Sequence, residues 1–155
     1  MAWARLLGKS QPPRKPRKSK VQSFLSYLAT IAVVEDDSAI RAAYRDLLRS
    51  CGLQTMMFEC AEDFLADGAT KDAGCLILDQ RLPGMSGLEL QGHLRALESR
   101  IPVVFVTSHD DDVTKRKALA GGACHFLSKP INPDRLLECL SDALRSRQAA
   151  HAPSL

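Results

Sequence analysis

Long apolar runs are missing from this chain. No stretch approaches the ~18 residues that a membrane-spanning helix requires, and the first residues hold no continuous apolar core of a secretory signal. Paired cysteines are missing as well. The five cysteines, at positions 51, 60, 75, 124 and 139, are odd in number and follow neither disulfide-like nor metal-ligand spacing. Cys75 and Cys124 fall in strand-like apolar runs and Cys139 in a helical one, which predicts reduced, mostly buried thiols in a cytoplasmic protein. His93 and His125 have no acid at useful spacing, and Gly121-Gly122 is too short to cradle a nucleotide. Acids are absent from the first 28 residues, which hold seven of the 21 Lys and Arg residues. The rest of the chain holds 14 bases and all 18 acids, so a net charge of +3 hides a basic extension on a mildly acidic body.

What is present fits one soluble globular domain: 155 residues, 45% hydrophobic and 25% charged. Residues 1–28 read as an extension. Its core, Gln11-Pro12-Pro13-Arg14-Lys15-Pro16-Arg17-Lys18-Ser19-Lys20, combines proline with like charges and is expected to be disordered. Such a basic stretch can meet nucleic acid or acidic lipid through counterion release, with Trp3, Leu6 and Leu7 as weak apolar contacts, or be a solvated tail without a role. Val21 to Leu28 is mildly apolar and reads as a short helix.

From Thr30 onward, strand and helix signals alternate. Strands are predicted at Ile31–Val34, Gln54–Phe58, Cys75–Leu78, Val103–Val106 and Cys124–Leu127. Helices are predicted after the caps Asp37-Ser38, Ser86, the acids Asp110 to Asp112 and Asn132, with a short one at Glu62–Ala66. Leu136, Leu137, Leu140, Ala143 and Leu144 form the buried stripe of the last helix. Strands that are apolar throughout and alternate with helices predict an α/β fold with a parallel sheet covered on both faces. Ligands of such sheets bind beyond the carboxyl ends of the strands.

Those ends carry the charge. Val33-Val34 runs into Glu35-Asp36-Asp37, Cys75-Leu76-Ile77-Leu78 into Asp79, and Phe126-Leu127-Ser128 into Lys129-Pro130, while Val103–Val106 ends in Thr107-Ser108. Brought together, these residues are a carboxylate cluster with a hydroxyl and an ammonium beside it, suited to a divalent cation and a phosphoryl group. Mg²⁺ prefers one or two carboxylates, several waters and a phosphate, and a cation relieves repulsion among neighbouring acids. Taken singly, each residue has a plain reading: a capped turn for Glu35-Asp36-Asp37, a strand-ending acid for Asp79, a surface charge for Lys129, a core aromatic for Phe126, an exposed loop residue for His109.

Taken together, in this order, they make the chain from about Thr30 to Arg147 resemble the response-regulator receiver domain of two-component signalling. Leu82-Pro83-Gly84-Met85-Ser86-Gly87 resembles the family's turn after the phosphoacceptor. The wording around Asp79 and Phe126 is most similar to receivers of the nitrogen-fixation-regulator type. The resemblance implies a doubly wound, flavodoxin-like five-stranded sheet of order 2-1-3-4-5, a receiver domain over residues 29–147, and a short tail over 148–155. It implies Asp79 as phosphoacceptor, assisted by Thr107 and Lys129. It implies Mg²⁺ held by Asp36, Asp79, the Arg81 carbonyl and, through a water, Glu35. Thr107 and Phe126 would form the switch, and Arg81 and His109 would flank the phosphoryl site and set its lifetime. Lys129 is expected before a cis proline. The implied partners are a histidine kinase or histidine phosphotransfer protein and a downstream protein target. A homodimer stays open, and specific DNA binding is not expected.

Only eight residues follow Arg147, which by length predicts a stand-alone receiver acting through protein contact or onward phosphotransfer. Two other classes compete. A receiver-like module binding without phosphorylation would not need the full residue set that is present. A Mg²⁺-dependent phosphatase or nuclease would need an Asp-x-Asp pattern, yet the chain has Glu35-Asp36-Asp37 and Asp79-Gln80-Arg81.

Overall fold

The five predicted strand segments become the five parallel strands of one sheet in the computed structural model, which describes Arg5, Leu6, Gly8 and residues 29–151. The strands are β1 (Thr30–Val34), β2 (Gln54–Phe58), β3 (Cys75–Leu78), β4 (Val103–Thr107) and β5 (His125–Ser128), in the order β2-β1-β3-β4-β5. Between and after them lie α1 (Ser38–Ser50), α2 (Ala61–Asp67), α3 (Gly87–Ala96), α4 (Asp112–Ala120) and α5 (Pro133–His151). This is the doubly wound, flavodoxin-like arrangement expected from the sequence.

Side-chain alternation along each strand sends residues to two separate cores. Ile31, Val33, Ile77, Val104 and Val106 pack under α1 and α5, with Tyr44, Leu47, Leu136 and Leu140. Ala32, Val34, Leu76, Leu78 and Phe105 pack on the other face with Phe64, Leu90, Leu94 and Ala118. Burial on both faces explains why β1, β3 and β4 read as continuous apolar runs rather than alternating ones.

The helix starts follow local chemistry. The Asp37 side chain accepts from the Ala39 and Ile40 amides, and Asp111 from that of Thr114. Ser86 and Glu89 form a reciprocal capping box at α3, and Asn132 accepts from the Asp134 and Arg135 amides ahead of α5. The register then aligns the strand ends: Val34 pairs with Phe58 and Leu78, Leu78 with Phe105, and Phe105 with Phe126. The residues just beyond this row therefore meet along one edge.

Some expectations are corrected. β5 begins at His125, and Cys124 is exposed rather than buried. β5 is an edge strand covered less fully than its neighbours, so an apolar run there does not guarantee burial. Of the five cysteines, only Cys75 and Cys139 are buried. The last helix continues four residues past Arg147, to His151. In the extension, Leu6, expected as a weak apolar contact, is fully buried. The basic tract 11–20, Trp3, Leu7, the expected helix over 21–28 and residues 152–155 lie outside the described residues. No helix among the described residues is long and apolar enough to cross a membrane.

Candidate functional site

Glu35 and Asp79 are the first residues past paired positions of adjacent strands, so register alone sets them side by side. Their backbones stay in the ladder: the Glu35 amide donates to the Phe58 carbonyl at 3.0 Å and that of Asp79 to Val34 at 3.2 Å. With the exposed Asp36 they form an acidic cluster in which one oxygen from each lies within 4.8 Å of the others. Three hard oxygen donors at this spacing, one of them open to solvent, fit a small divalent cation that retains waters.

Lys129 reaches the same cluster from the end of β5, where its amide donates to the Thr107 carbonyl at 3.0 Å and its bond to Pro130 is cis. Its ammonium donates to Asp79 Oδ2 at 2.8 Å and to Glu35 Oε2 at 2.7 Å. All three side chains are at least nine-tenths buried. One cation thus serves two buried carboxylates. Burial pushes Glu35 up to about 7; the Lys129 charge opposes this, and the adjacent Asp79 adds to it. Burial works to lower the Lys129 pKa as well, but Glu35 and Asp79 together outweigh it and hold the ammonium above its ordinary value.

Backbone and side-chain bonds fix the rest. The Arg41 guanidinium, one turn into α1, donates to the carbonyls of Glu35 at 2.7 Å and Asp36 at 2.8 Å. The Arg81 amide donates to Asp79 Oδ1 at 3.1 Å. Gln80 accepts from the Leu88 amide, and Glu62 of α2 accepts from that of Met85, both at 2.8 Å, which pins the turn after Asp79 from two sides. Gly87 lets α3 approach that turn: a Cβ there would lie 2.4 Å from the Asp79 carbonyl oxygen. Thr107 is buried and its hydroxyl accepts from the His109 amide at 3.1 Å. The Arg81 guanidinium hydrogen-bonds the His109 ring across the mouth of the site. Phe126 is half-buried and stacks on Phe105, with centroids 5.9 Å apart and planes inclined by 25°.

The structure therefore brings Glu35, Asp36, Asp79 and Lys129 together, with Arg81 and His109 at the mouth and Thr107 at the next strand end. Sequence reasoning placed Lys129 beside Asp79 as an assisting group and missed its bond to Glu35. It also missed Arg41, Glu62, Gln80 and Tyr44. The Tyr44 hydroxyl is buried with no hydrogen-bond partner among the described residues. Burial raises its pKa well above the ordinary value, with Glu35 and Asp79 adding to the rise. For Arg41 a signal existed, a cation one helical turn after an acidic strand end. For Tyr44 none did, because its spacing is simply that of a core residue.

Comparison with known proteins agrees with this geometry. Residues 31–141 match the family described as the response regulator receiver domain. Response regulator protein TodT of Pseudomonas putida is 35% identical over 144 residues, covering 92% of this chain and 63% of TodT. Nodulation protein W of Bradyrhizobium diazoefficiens is 41% identical over 112 residues, 72% of this chain and 49% of that protein. Transcriptional regulatory protein FixJ of the same organism is 35% identical over 120 residues, 77% of this chain and 58% of FixJ. The chain thus spans about half to under two-thirds of the length of these relatives. Among solved structures, FixJ-N superimposes with a TM-score of 0.70 at 31% identity, covering 82% of this chain and 98% of that one. The response regulator StyR does so at 0.72 and 42% identity, covering 79% of this chain and 64% of that one.

Proposed function

The chain belongs to the response regulator receiver domain family, and on that premise we propose that Asp79 accepts a phosphoryl group from a phosphohistidine in a Mg²⁺-dependent reaction. Receiver domains are phosphoacceptor signalling domains that interact with histidine kinases and bind Mg²⁺ at an acidic pocket. The observation that carries the reading here is the buried Asp79 carboxylate, held at 2.8 Å by Lys129 beside the Glu35-Asp36 pair.

In the proposed step, Asp79 Oδ attacks phosphorus. The P–O bond forms as the P–N bond to the imidazole breaks, and the bonding pair leaves with the nitrogen. Asp36, Asp79, the Arg81 carbonyl and, through a water, Glu35 would hold Mg²⁺, which when bound neutralises charge developing on the phosphoryl oxygens. The Arg81 amide orients the Asp79 carboxylate by its bond to Oδ1. Lys129 passes from the free carboxylate to the phosphoryl oxygens. The Thr107 hydroxyl exchanges the His109 amide for a phosphoryl oxygen. Its movement opens space toward the half-buried Phe126, which biases the surface of α4, β5 and α5 between two states that a downstream protein distinguishes. Arg81 and His109, bonded to each other at the mouth, control water access and so the lifetime of the acyl phosphate. On this reading the protein acts in the cytoplasm, beside its phosphodonor.

The test is intact mass after incubation with acetyl phosphate, with Mg²⁺ or with chelator. A gain of one phosphoryl group is expected that disappears with chelator and in Asp79→Asn. A gain that persists in Asp79→Asn overturns the assignment.

A further inference from the structure

Three residues of the basic extension are packed beside this site. Leu6 is fully buried and joins the cluster of Ile40, Tyr44, Ile131 and Leu136, between the amino end of α1 and the β5–α5 turn. Its carbonyl accepts from the Ile131 amide at 2.8 Å. The Arg5 guanidinium pairs with Asp37, the cap of α1 that directly follows the Glu35-Asp36 pair. Gly8, at φ +67°, passes so close to Pro130 that a Cβ there would lie 3.0 Å from the ring. The segment thus lies against the residue after Asp36 on one side and the two after Lys129 on the other. Its bonds are of separate kinds: an apolar side chain in a groove, a main-chain hydrogen bond and an ion pair.

We propose that this groove is a docking surface for a short basic-apolar segment, that the chain's own Arg5-Leu6 fills it, and that a protein phosphodonor must displace that segment to bring its phosphohistidine to Asp79. The inference rests on the phosphoacceptor reading. A small donor passes the rim without touching the groove. The segment already occupies the rim formed by α1 and the β5–α5 turn, so a protein donor whose surface crosses that side of the site meets it first. If the docked form dominates by nine to one, the apparent rate constant for a protein donor falls on the order of tenfold. The charge of Arg5 matters because Asp37 is the acid on the α1 side of the groove. The leucine matters because it is buried in the same apolar cluster as Ile40, Tyr44, Ile131 and Leu136.

The experiment uses the full chain and its Arg5→Glu and Leu6→Asp variants. Three readouts are taken: hydrogen exchange at the Ile131 amide, labelling by acetyl phosphate, and labelling by a phosphorylated histidine phosphotransfer domain. Expected are a protected Ile131 amide in the full chain, exchange at least tenfold faster in Leu6→Asp, and acetyl phosphate rates equal within twofold for all three. Transfer from the protein donor is expected to rise on the order of tenfold in Leu6→Asp and by less in Arg5→Glu. Arg5→Glu replaces an exposed side chain, so it preserves the fold if Leu6→Asp does not. An Ile131 amide equally unprotected in the full chain and the variants overturns the docking. Equal transfer from the protein donor to all three chains, or transfer to none, overturns the gate while acetyl phosphate labelling leaves the phosphoacceptor reading standing. No labelling of Asp79 by either donor removes that reading and the gate with it.

Discussion

Replacing Glu35 with glutamine should flatten the dependence of stability on pH. Glu35 rises from an ordinary 4.5 to about 7 because it is buried and shares Lys129 with Asp79. In the unfolded chain it loses its proton near 4.5; in the folded chain it keeps it to about pH 7. Between those values the folded state binds the extra proton, so stability falls as pH rises. The rise corresponds to ~3 kcal/mol against ionisation in the fold, at a slope of at most ~1.4 kcal/mol per pH unit. Asp37, Glu62, Glu89 and Asp111 act with the opposite sign, since hydrogen bonds from backbone amides lower each of them. Their contribution is present above the ordinary carboxylate range and is lost only as pH falls below it, outside the window from 5 to 7.5. Urea unfolding followed by circular dichroism at pH 5, 6, 7 and 8, in chelator, reads the slope directly. The wild-type chain should lose up to ~3 kcal/mol across the window. Glu35→Gln keeps an acceptor for Lys129 and should stay nearly level. Saturating Mg²⁺ should reduce the wild-type slope, because a bound cation stabilises the ionised cluster. Equal slopes for the two proteins, or wild-type stability that climbs with pH in this window, would refute the reasoning.

Two further outcomes follow from packing. Gly87→Ala places a methyl 2.4 Å from the Asp79 carbonyl and 2.9 Å from Gln80 Cα, both backbone atoms that cannot yield cheaply. It should cost ~1–3 kcal/mol in urea unfolding and slow acetyl phosphate labelling; unchanged values in both assays would show that α3 can move away from the turn. Tyr44→Phe removes a buried hydroxyl without a partner and should leave stability unchanged or raise it by ~1–2 kcal/mol. A loss of more than ~1 kcal/mol in the same assay would mean that the hydroxyl is satisfied, for example by a buried water.

Much of this protein is local in origin and could be read along the chain. The caps Asp37, Ser86 and Asn132 act on amides two or three residues away. The strands β1, β3 and β4 are apolar because both of their faces are covered, and charge begins where cover ends. Parallel pairing with right-handed connections then leaves few arrangements, and so the acids, Thr107 and Lys129 were expected on one edge. Tertiary structure decided what depends on which neighbour covers a residue. The Cys124 run looked like any inner strand, yet β5 lies at the edge and Cys124 is exposed. Leu6 sat in a composition typical of disorder, yet a groove formed by residues over thirty and over a hundred positions away buries it. Glu35 read as part of a capped turn or as a metal ligand through a water, and only the fold set it opposite a lysine 94 residues later that it must share with Asp79. Periodicity and capping are properties of neighbours in sequence. Burial and the sharing of one charge by two acids are properties of neighbours in space, and those exist only once the sheet has set its register.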